Sequence, residues 1–315
     1  MLEVIGLKKT FTTGLINKRS IKAVDGIEFS INDHETFGLV GESGCGKTTV
    51  GRLVLRLIEP TEGRIIFNGI ELTKLERKAL RKIRPQMQII FQDPESSLHP
   101  RMRIGDIVGE PLKLYNIVPE DERNDKVIEL IDKVGLNREH INRYPHELSG
   151  GQSQRAMLAR VLALSPKLIV ADEPTSSLDV NVQAQILSLL KGAQNEFGFS
   201  CLFISHDLKI IQNITQSMAV MYLGKIVEIG LTRDIFQDAC HPYTKALLSA
   251  VPQADPFTKR KRIILKGEIP NLMDLPAGCR FCTRCSYKND ICESTPPPMV
   301  NVGKGHLVAC HLVAT

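Results

Sequence analysis

The stretch Gly41-Glu42-Ser43-Gly44-Cys45-Gly46-Lys47-Thr48-Thr49 constrains this chain more than any other. A short apolar run, Thr36-Phe37-Gly38-Leu39-Val40, precedes it, and a segment of helical character follows through Leu57. Strand, glycine-rich loop and helix in that order make a phosphate-binding loop. Glycine lets successive backbone N–H groups turn inward without Cβ clashes. The helix N-terminus adds partial positive charge. In such a loop Lys47 reaches the β- and γ-phosphates of a nucleotide, and the Thr48 hydroxyl ligates Mg²⁺. Cys45 reads as a small loop residue with no metal or redox role.

A second segment carries further phosphate chemistry. Leu148-Ser149-Gly150-Gly151-Gln152 opens a helix with two small residues beside a hydroxyl and an amide, an anion-binding surface. Residues 167–171 form a short continuous apolar run, as a buried parallel strand does. Asp172 at its tip suits a Mg²⁺ contact, usually through water. Glu173, one residue on, can activate water as a general base. Gln92 ends the apolar run 87–91; it either caps a loop or touches Mg²⁺ or the attacking water. Ser176-Ser177-Leu178-Asp179 follows the acid pair. His206 stands after the buried run 201–204, where it can hold a γ-phosphate and order the attacking water. Cys201 reads as core.

The remaining chain supplies a frame. Residues 1–35 are β-rich, with apolar pieces 2–7 and 27–31 flanking a polar turn that contains Gly14 and Asn17. Phe11, the aromatic of that region, is either a satellite core residue or a platform for adenine. Residues 64–67 form a strand before an Asn68-Gly69 turn. From 104 to 163 the pattern is helical: Val127, Leu130, Ile131 and Val134 recur at helical spacing and Gly135 stops the run. This segment is an insertion between two halves of an open α/β core. Residues 218–223 and 225–229, around Gly224, form a hairpin that closes the sheet.

Composition narrows the function. The net charge of +5 is too small to argue for nucleic acid, and with no Trp and 5% aromatics a base-stacking platform is not expected. No apolar run approaches the roughly 18 residues of a membrane span, and the N-terminus lacks the layout of a signal peptide. A soluble cytoplasmic protein is expected, and a membrane role then requires a membrane partner.

Beyond residue 235 the character changes. His241-Pro242-Tyr243 starts a short helix, a linker runs from Pro252 to Pro256, and Lys259-Arg260-Lys261-Arg262 is either a solvated face or a surface for anionic lipid. Of eight cysteines, Cys279, Cys282, Cys285, Cys292 and Cys310 crowd this tail. In a reducing compartment such a cluster indicates metal rather than disulfides. The tail is too small and polar to have much core of its own, and a metal would supply the crosslinks. Four thiolates suit tetrahedral zinc or an iron–sulfur cluster, and the spacing alone leaves both open.

Together these motifs resemble the ATP-binding subunits of ABC transporters over residues 1–235. The phosphate loop is 41–49, the Q-loop glutamine Gln92, the signature 148–152, the acid strand Asp172-Glu173, the D-loop 176–179 and the switch histidine His206. Phe11 falls where the family places its adenine-stacking aromatic. Ser96-Ser97-Leu98-His99-Pro100-Arg101, His241-Pro242-Tyr243-Thr244 and Gly278-Cys279-Arg280-Phe281 resemble the dipeptide/oligopeptide importer branch. The resemblance implies an ABC-type P-loop NTPase: a RecA-like core, a β-subdomain and a helical subdomain at about 95–165. It adds a small irregular C-terminal metal-cluster domain over 236–315. It implies that Gly41, Glu42, Ser43, Gly44, Cys45, Gly46, Lys47, Thr48 and Thr49 bind ATP. It implies that Ser149, Gly150, Gly151 and Gln152 face the ATP of a partner and that Asp179 of the D-loop also binds nucleotide. Thr48, Gln92 and Asp172 hold Mg²⁺, and Glu173 and His206 are catalytic. A [4Fe–4S] cluster, with zinc as the alternative, takes Cys279, Cys285, Cys292 and Cys310 and leaves Cys282 spare. Ser153 stands where relatives often carry Arg.

The implied partners are a second ATPase subunit, identical or paralogous, two transmembrane permease subunits and an extracytoplasmic peptide-binding protein. The chain is then peripheral on the cytoplasmic side of the membrane, with no nucleic acid. Nickel or glutathione import is the neighbouring alternative. A soluble ABC ATPase acting on nucleic acid or the ribosome, and a redox-sensing tail, are the more distant ones.

Overall fold

The N-terminal alternation extends further than the apolar pieces suggest. Strands β1 (Leu2–Thr13) and β2 (Arg19–Ile31) pair antiparallel from Leu2↔Ile31 to Thr13↔Arg19. The computed structural model describes residues 1–13, 19–93, 97–176, 178–251, 262–268 and 270–313. Gly14, Asn17, Pro94, Ser96, Ser177, the linker 252–256 and the basic residues Lys259, Arg260 and Lys261 lie outside them.

In chain order there follow β3 (Thr36–Val40), α1 (Lys47–Val54), β4 (Glu62–Phe67) and β5 (Ile70–Glu71). Next come α2 (Arg77–Ile83), β6 (Met87–Ile90), α3 (Ile104–Leu114) and α4 (Arg123–Lys133). Then come α5 (Gly150–Leu162), β7 (Leu168–Asp172), α6 (Val180–Phe197) and β8 (Ser200–Ser205). The last third holds α7 (Leu208–Ile214), β9 (Ser217–Tyr222), β10 (Lys225–Leu231), α8 (Thr232–Gln237) and α9 (Pro242–Ser249). It ends with α10 (Ile291–Ser294), β11 (Val300–Gly303) and β12 (His306–Val308).

Two compact units emerge. The first comprises residues 1–31, 35–73 and 203–315. It holds an antiparallel sheet in the order β2-β1-β4-β5 and the strands β11-β12-β10-β9-β3 of a second sheet. The Asn68-Gly69 turn has positive φ at both residues, 48° and 76°, as a tight hairpin between β4 and β5 requires. Strand β3 runs parallel to β9 and is buried along its length, the condition read from its unbroken apolar run.

The second unit comprises residues 32–34 and 74–202. Here β6 and β7 run parallel, Met87↔Leu168 to Ile90↔Ala171. Helices α3, α4 and α5 pack on one another with Val127, Leu130 and Ile131 inside, and Gly135 ends its run with φ of 68°. Pro111 lies inside α3.

The sequence places a closing hairpin at 218–229, and the structure corrects this. Strands β9 and β10 do form it, but β12 pairs onto β10 (Glu228↔Val308, Ile229↔Leu307) and β11 onto β12. The tail therefore adds two strands to the sheet, and Tyr243 and Val308 are fully buried. Its partners lie tens of residues upstream, where no local pattern could show them.

Glu228 is the polar pin of that junction. It is 0% exposed, and its carboxylate accepts the N–H groups of Cys240 at 2.6 Å and His241 at 3.1 Å and faces His306 Nε2 at 2.8 Å. Removing it leaves two buried amides and a buried imidazole without an acceptor. Glu228→Ala is expected to cost about 3 kcal/mol of stability by urea denaturation, because the partners stay desolvated.

Candidate active site

Lys47 and the loop 41–49 lie in the first unit. Gly46 adopts φ of 108°, and a Cβ there would stand 2.2 Å from the Ala23 carbonyl oxygen, so no larger residue fits. Helix α1 begins at Lys47 with Gly46 as its N-cap and no side-chain cap. Ser43, Gly44 and Thr48 are exposed. Lys47 is 5% exposed, and its Nζ donates to the carbonyls of Gly41 at 2.7 Å and Glu42 at 3.0 Å. Cys45 is buried, which pushes its thiol pKa up against the pull of Lys47. Thr49 is half-buried. Phe11 is 38% exposed on β1, with Lys9 Nζ 5.1 Å from its ring centroid. His206 is exposed at the end of β8, where Ser205 Oγ accepts the Asp207 N–H at 2.9 Å and Asp207 caps α7.

The second unit holds the acid pair and the signature. Asp172 ends β7 and is 5% exposed. Glu173 has φ of 48°, a backbone region costly for a side chain of its size, and such strain concentrates at functional positions. Gln92 Nε2 donates to Glu173 Oε2 at 3.4 Å, so two residues distant in sequence meet. Asp179 caps α6, with Oδ1 accepting from Asn181 at 3.1 Å and Val182 at 3.0 Å.

Ser149 and Gln152 form a reciprocal capping box at the start of α5. The Gln152 N–H donates to Ser149 Oγ at 3.3 Å, and the Ser149 N–H donates to Gln152 Oε1 at 3.0 Å. The S-x-x-Q spacing carries that signal, which the reading of an anion surface passed over. Gly150 and Gly151 also have a packing reason: a Cβ on Gly151 would fall 2.6 Å from Val182 Cγ1. Ser153 is fully buried, and its hydroxyl has no hydrogen-bond partner among the described residues.

The cysteine-rich tail lies wholly in the first unit. Cys292 interacts electrostatically with Cys279, Cys282, Cys285 and Cys310, so the five converge. Burial is the main cause that raises the thiol pKa values of Cys279, Cys282, Cys285 and Cys310, for Cys279 to about 11. Amides two residues on, of Phe281, Tyr287 and Leu312, act on Cys279, Cys285 and Cys310, whereas Cys282 takes its own from Thr283. Among the described residues the one trio of metal-binding side chains with ligand atoms within 4.8 Å of each other is Glu228, Cys240 and His306; no three of the cluster sulfurs are that close.

Sequence reasoning missed the residues that grip the phosphate loop from the tail. The Glu42 N–H donates to Tyr243 Oη at 2.9 Å, and Arg284 binds the Glu42 carboxylate at 2.7 and 3.1 Å. Arg280 binds Asp25 and the Leu223 carbonyl, and the Gly224 N–H donates to the Cys45 carbonyl at 2.9 Å. The Gly-Cys-Arg-Phe run drew notice for its cysteine, and nothing local marks the arginines.

A phosphate loop on a parallel strand, a strand-tip acid pair and a capped Ser-Gly-Gly-Gln helix define an ABC-type ATPase. Comparison agrees. The family described as "ABC transporter" matches residues 24–176 and "Oligopeptide/dipeptide transporter, C-terminal region" matches 227–292. The oligopeptide transport ATP-binding protein AppF of Bacillus subtilis is 46% identical over 99% of this chain and 97% of its own. The putative oligopeptide transport ATP-binding protein YkfD of the same organism is 47% identical over 99% and 95%. The ATP-binding cassette MJ0796, solved as a dimer in a post-hydrolysis state bound to ADP and Pi, superposes with TM-score 0.67. It is 28% identical and covers 74% of this chain and 99% of its own. The chain belongs to the ATP-hydrolysing subunits of ABC transporters, in the oligopeptide/dipeptide importer branch.

The Gly151 contact gives a test of the α5–α6 packing. Gly151→Ala is expected to lower stability by about 1–3 kcal/mol through overpacking. Adding Val182→Ala should recover most of that loss in the melting temperature.

Proposed function

We propose that this chain powers import of short peptides, binding and hydrolysing ATP beneath two membrane subunits that receive peptide from an extracytoplasmic binding protein. The observation that carries it is the nearly end-to-end likeness to peptide-transport ATP-binding proteins, tail included, on a chain whose phosphate loop is built to hold an anion. Among the described residues no helix is long and apolar enough to cross a membrane, consistent with a subunit that works through membrane partners.

In this reading Lys47 and the amides of 43–49 take the phosphates, Thr48 and, from the acid strand, Asp172 serve Mg²⁺ with Gln92, and Phe11 lies against adenine. Mg²⁺ supplies charge neutralisation on the β- and γ-oxygens. Glu173 accepts the proton of the attacking water, and His206 holds the γ-phosphate. The chain already has a complete cradle at 41–49, so residues 149–152 with Asp179 serve the ATP of a second ATPase subunit. The related cassette MJ0796 is solved as a dimer bound to ADP and Pi, which supports the working of two ATPase subunits together. The isolated chain should then bind nucleotide and hydrolyse it poorly. Glu173→Gln, in the assembled transporter, is expected to keep ATP binding and lose about 10²–10⁴ in turnover, the usual contribution of a general base.

The tail is proposed to hold a [4Fe–4S] cluster on Cys279, Cys285, Cys292 and Cys310, in a structural role. The donor set fits: all-thiolate, partly buried, and with N–H groups directed at three sulfurs. A single zinc with bonds of about 2.3 Å needs sulfurs about 3.8 Å apart, closer than the spread of these five. Anaerobically purified protein is expected to be brown, with about four iron and four sulfide per chain by analysis. Cys292→Ser should lose the colour and Cys282→Ser keep it. Colourless protein holding zinc would exclude the cluster.

A further inference from the structure

Glu42 places a carboxylate in the phosphate loop, among groups that must attract a triphosphate. The structure shows what offsets it. Arg284 takes the carboxylate through both guanidinium arms, at 2.7 and 3.1 Å, with the two side chains 8% and 24% exposed. A bidentate pair this shielded is unlike an exposed ion pair of small effect. The Glu42 N–H donates to Tyr243 Oη at 2.9 Å. The carbonyls of Gly41 and Glu42 in turn accept from Lys47 Nζ. The tail thus holds the residue whose carbonyl orients the loop lysine.

The two anchors are themselves fixed. Tyr243 is 0% exposed and packs against Tyr222 and Phe281, ring centroids 4.7 and 5.4 Å away. Burial raises the Tyr243 pKa, so it stays a neutral phenol. The Arg284 guanidinium lies 5.9 Å over the Tyr222 ring and its Nη1 donates to Tyr222 Oη at 3.4 Å, while its Nε is buried without a partner among the described residues. Helix α9, which carries Tyr243, starts at His241, whose Nδ1 accepts the Tyr243 N–H at 3.0 Å. Burial pushes that imidazole down to about 3, which keeps it a neutral acceptor.

We propose that Arg284 and Tyr243 are positioning residues of the ATP site: the C-terminal tail neutralises Glu42 and fixes the start of the phosphate loop, and thereby sets nucleotide affinity. Neutralisation and placement act together. Without Arg284 a bare carboxylate remains beside an anion site, which repels phosphate. Without the Tyr243 hydroxyl the Glu42 amide loses its acceptor and the loop its preorganisation. Neither residue touches the nucleotide in this account, which rests on the reading that 41–49 binds ATP.

The test uses the full-length chain, a fluorescent ATP analogue with Mg²⁺, and melting temperature without nucleotide. Arg284→Ala is expected to weaken binding about tenfold, the scale of one charge-assisted pair. Adding Glu42→Gln to that variant should recover most of the affinity, and the loss and recovery should both be present far below the melting temperature of either variant, where a purely structural role would leave binding unchanged. Tyr243→Phe keeps the ring stack and should weaken binding about threefold. Should Arg284→Ala fail to fold, Arg284→Lys keeps the stem and charge and is read the same way, with a smaller loss recovered by Glu42→Gln. Wild-type affinity in the folded Arg284 variant and in Tyr243→Phe would overturn the proposal, as would a loss that Glu42→Gln does not recover. Lys47→Ala separates the two readings. If it binds the analogue normally, the ATP assignment of the loop is wrong; if it loses binding while the Arg284 variants do not, only the role of the tail is wrong.

Discussion

A loop that binds phosphate must hold several backbone N–H groups toward one point and keep side chains away from it. Such a loop has little to hold it from within, because the amides that would close it on itself are reserved for the ligand. Its rigidity has to come from outside. In this chain the Gly46 backbone approaches the Ala23 carbonyl of β2 so closely that a Cβ would collide. The turn Leu223-Gly224 donates to Cys45, and Tyr243 and Arg284 hold Glu42. The short motif names the chemistry, and three remote segments of the first unit make it a fixed shape.

The second unit solves a related problem at a helix end. A capping box between Ser149 and Gln152 satisfies the first turn of α5, and Gly151 lets α6 approach through Val182. Asp179 caps α6 itself. At that helix start Ser149 is exposed, Gly150 half-buried and Gly151 buried against Val182. Glu173 and Gln92 meet in the same unit, on a backbone whose positive φ records that this position is held by its surroundings.

Much of the fold was legible because its signals are local. The apolar runs at 36–40 and 167–171, the Asn68-Gly69 turn and the helical spacing before Gly135 each set one element from neighbouring residues. The tail was less legible because its structure is borrowed. Strand β12 completes itself on β10, and Tyr243, Phe281 and Arg284 pack on one another's neighbours in the tail and against Glu42 of the phosphate loop and Tyr222 of β9. A sequence read forward shows a polar, cysteine-rich end with little core; the core it uses belongs to the ATPase. The cysteines announced a metal, but the arginines between them carry the contact to the loop, and charged residues in such a stretch look like solvated surface until the fold buries them.

The most direct measurement is uptake of a defined di- to pentapeptide mixture into proteoliposomes that contain this chain with its ATPase and permease partners and binding protein. ATP-dependent accumulation of peptide, lost in Glu173→Gln, is the predicted result. ATP hydrolysis that proceeds without accumulation of any peptide, while nickel or glutathione accumulates instead, would contradict it.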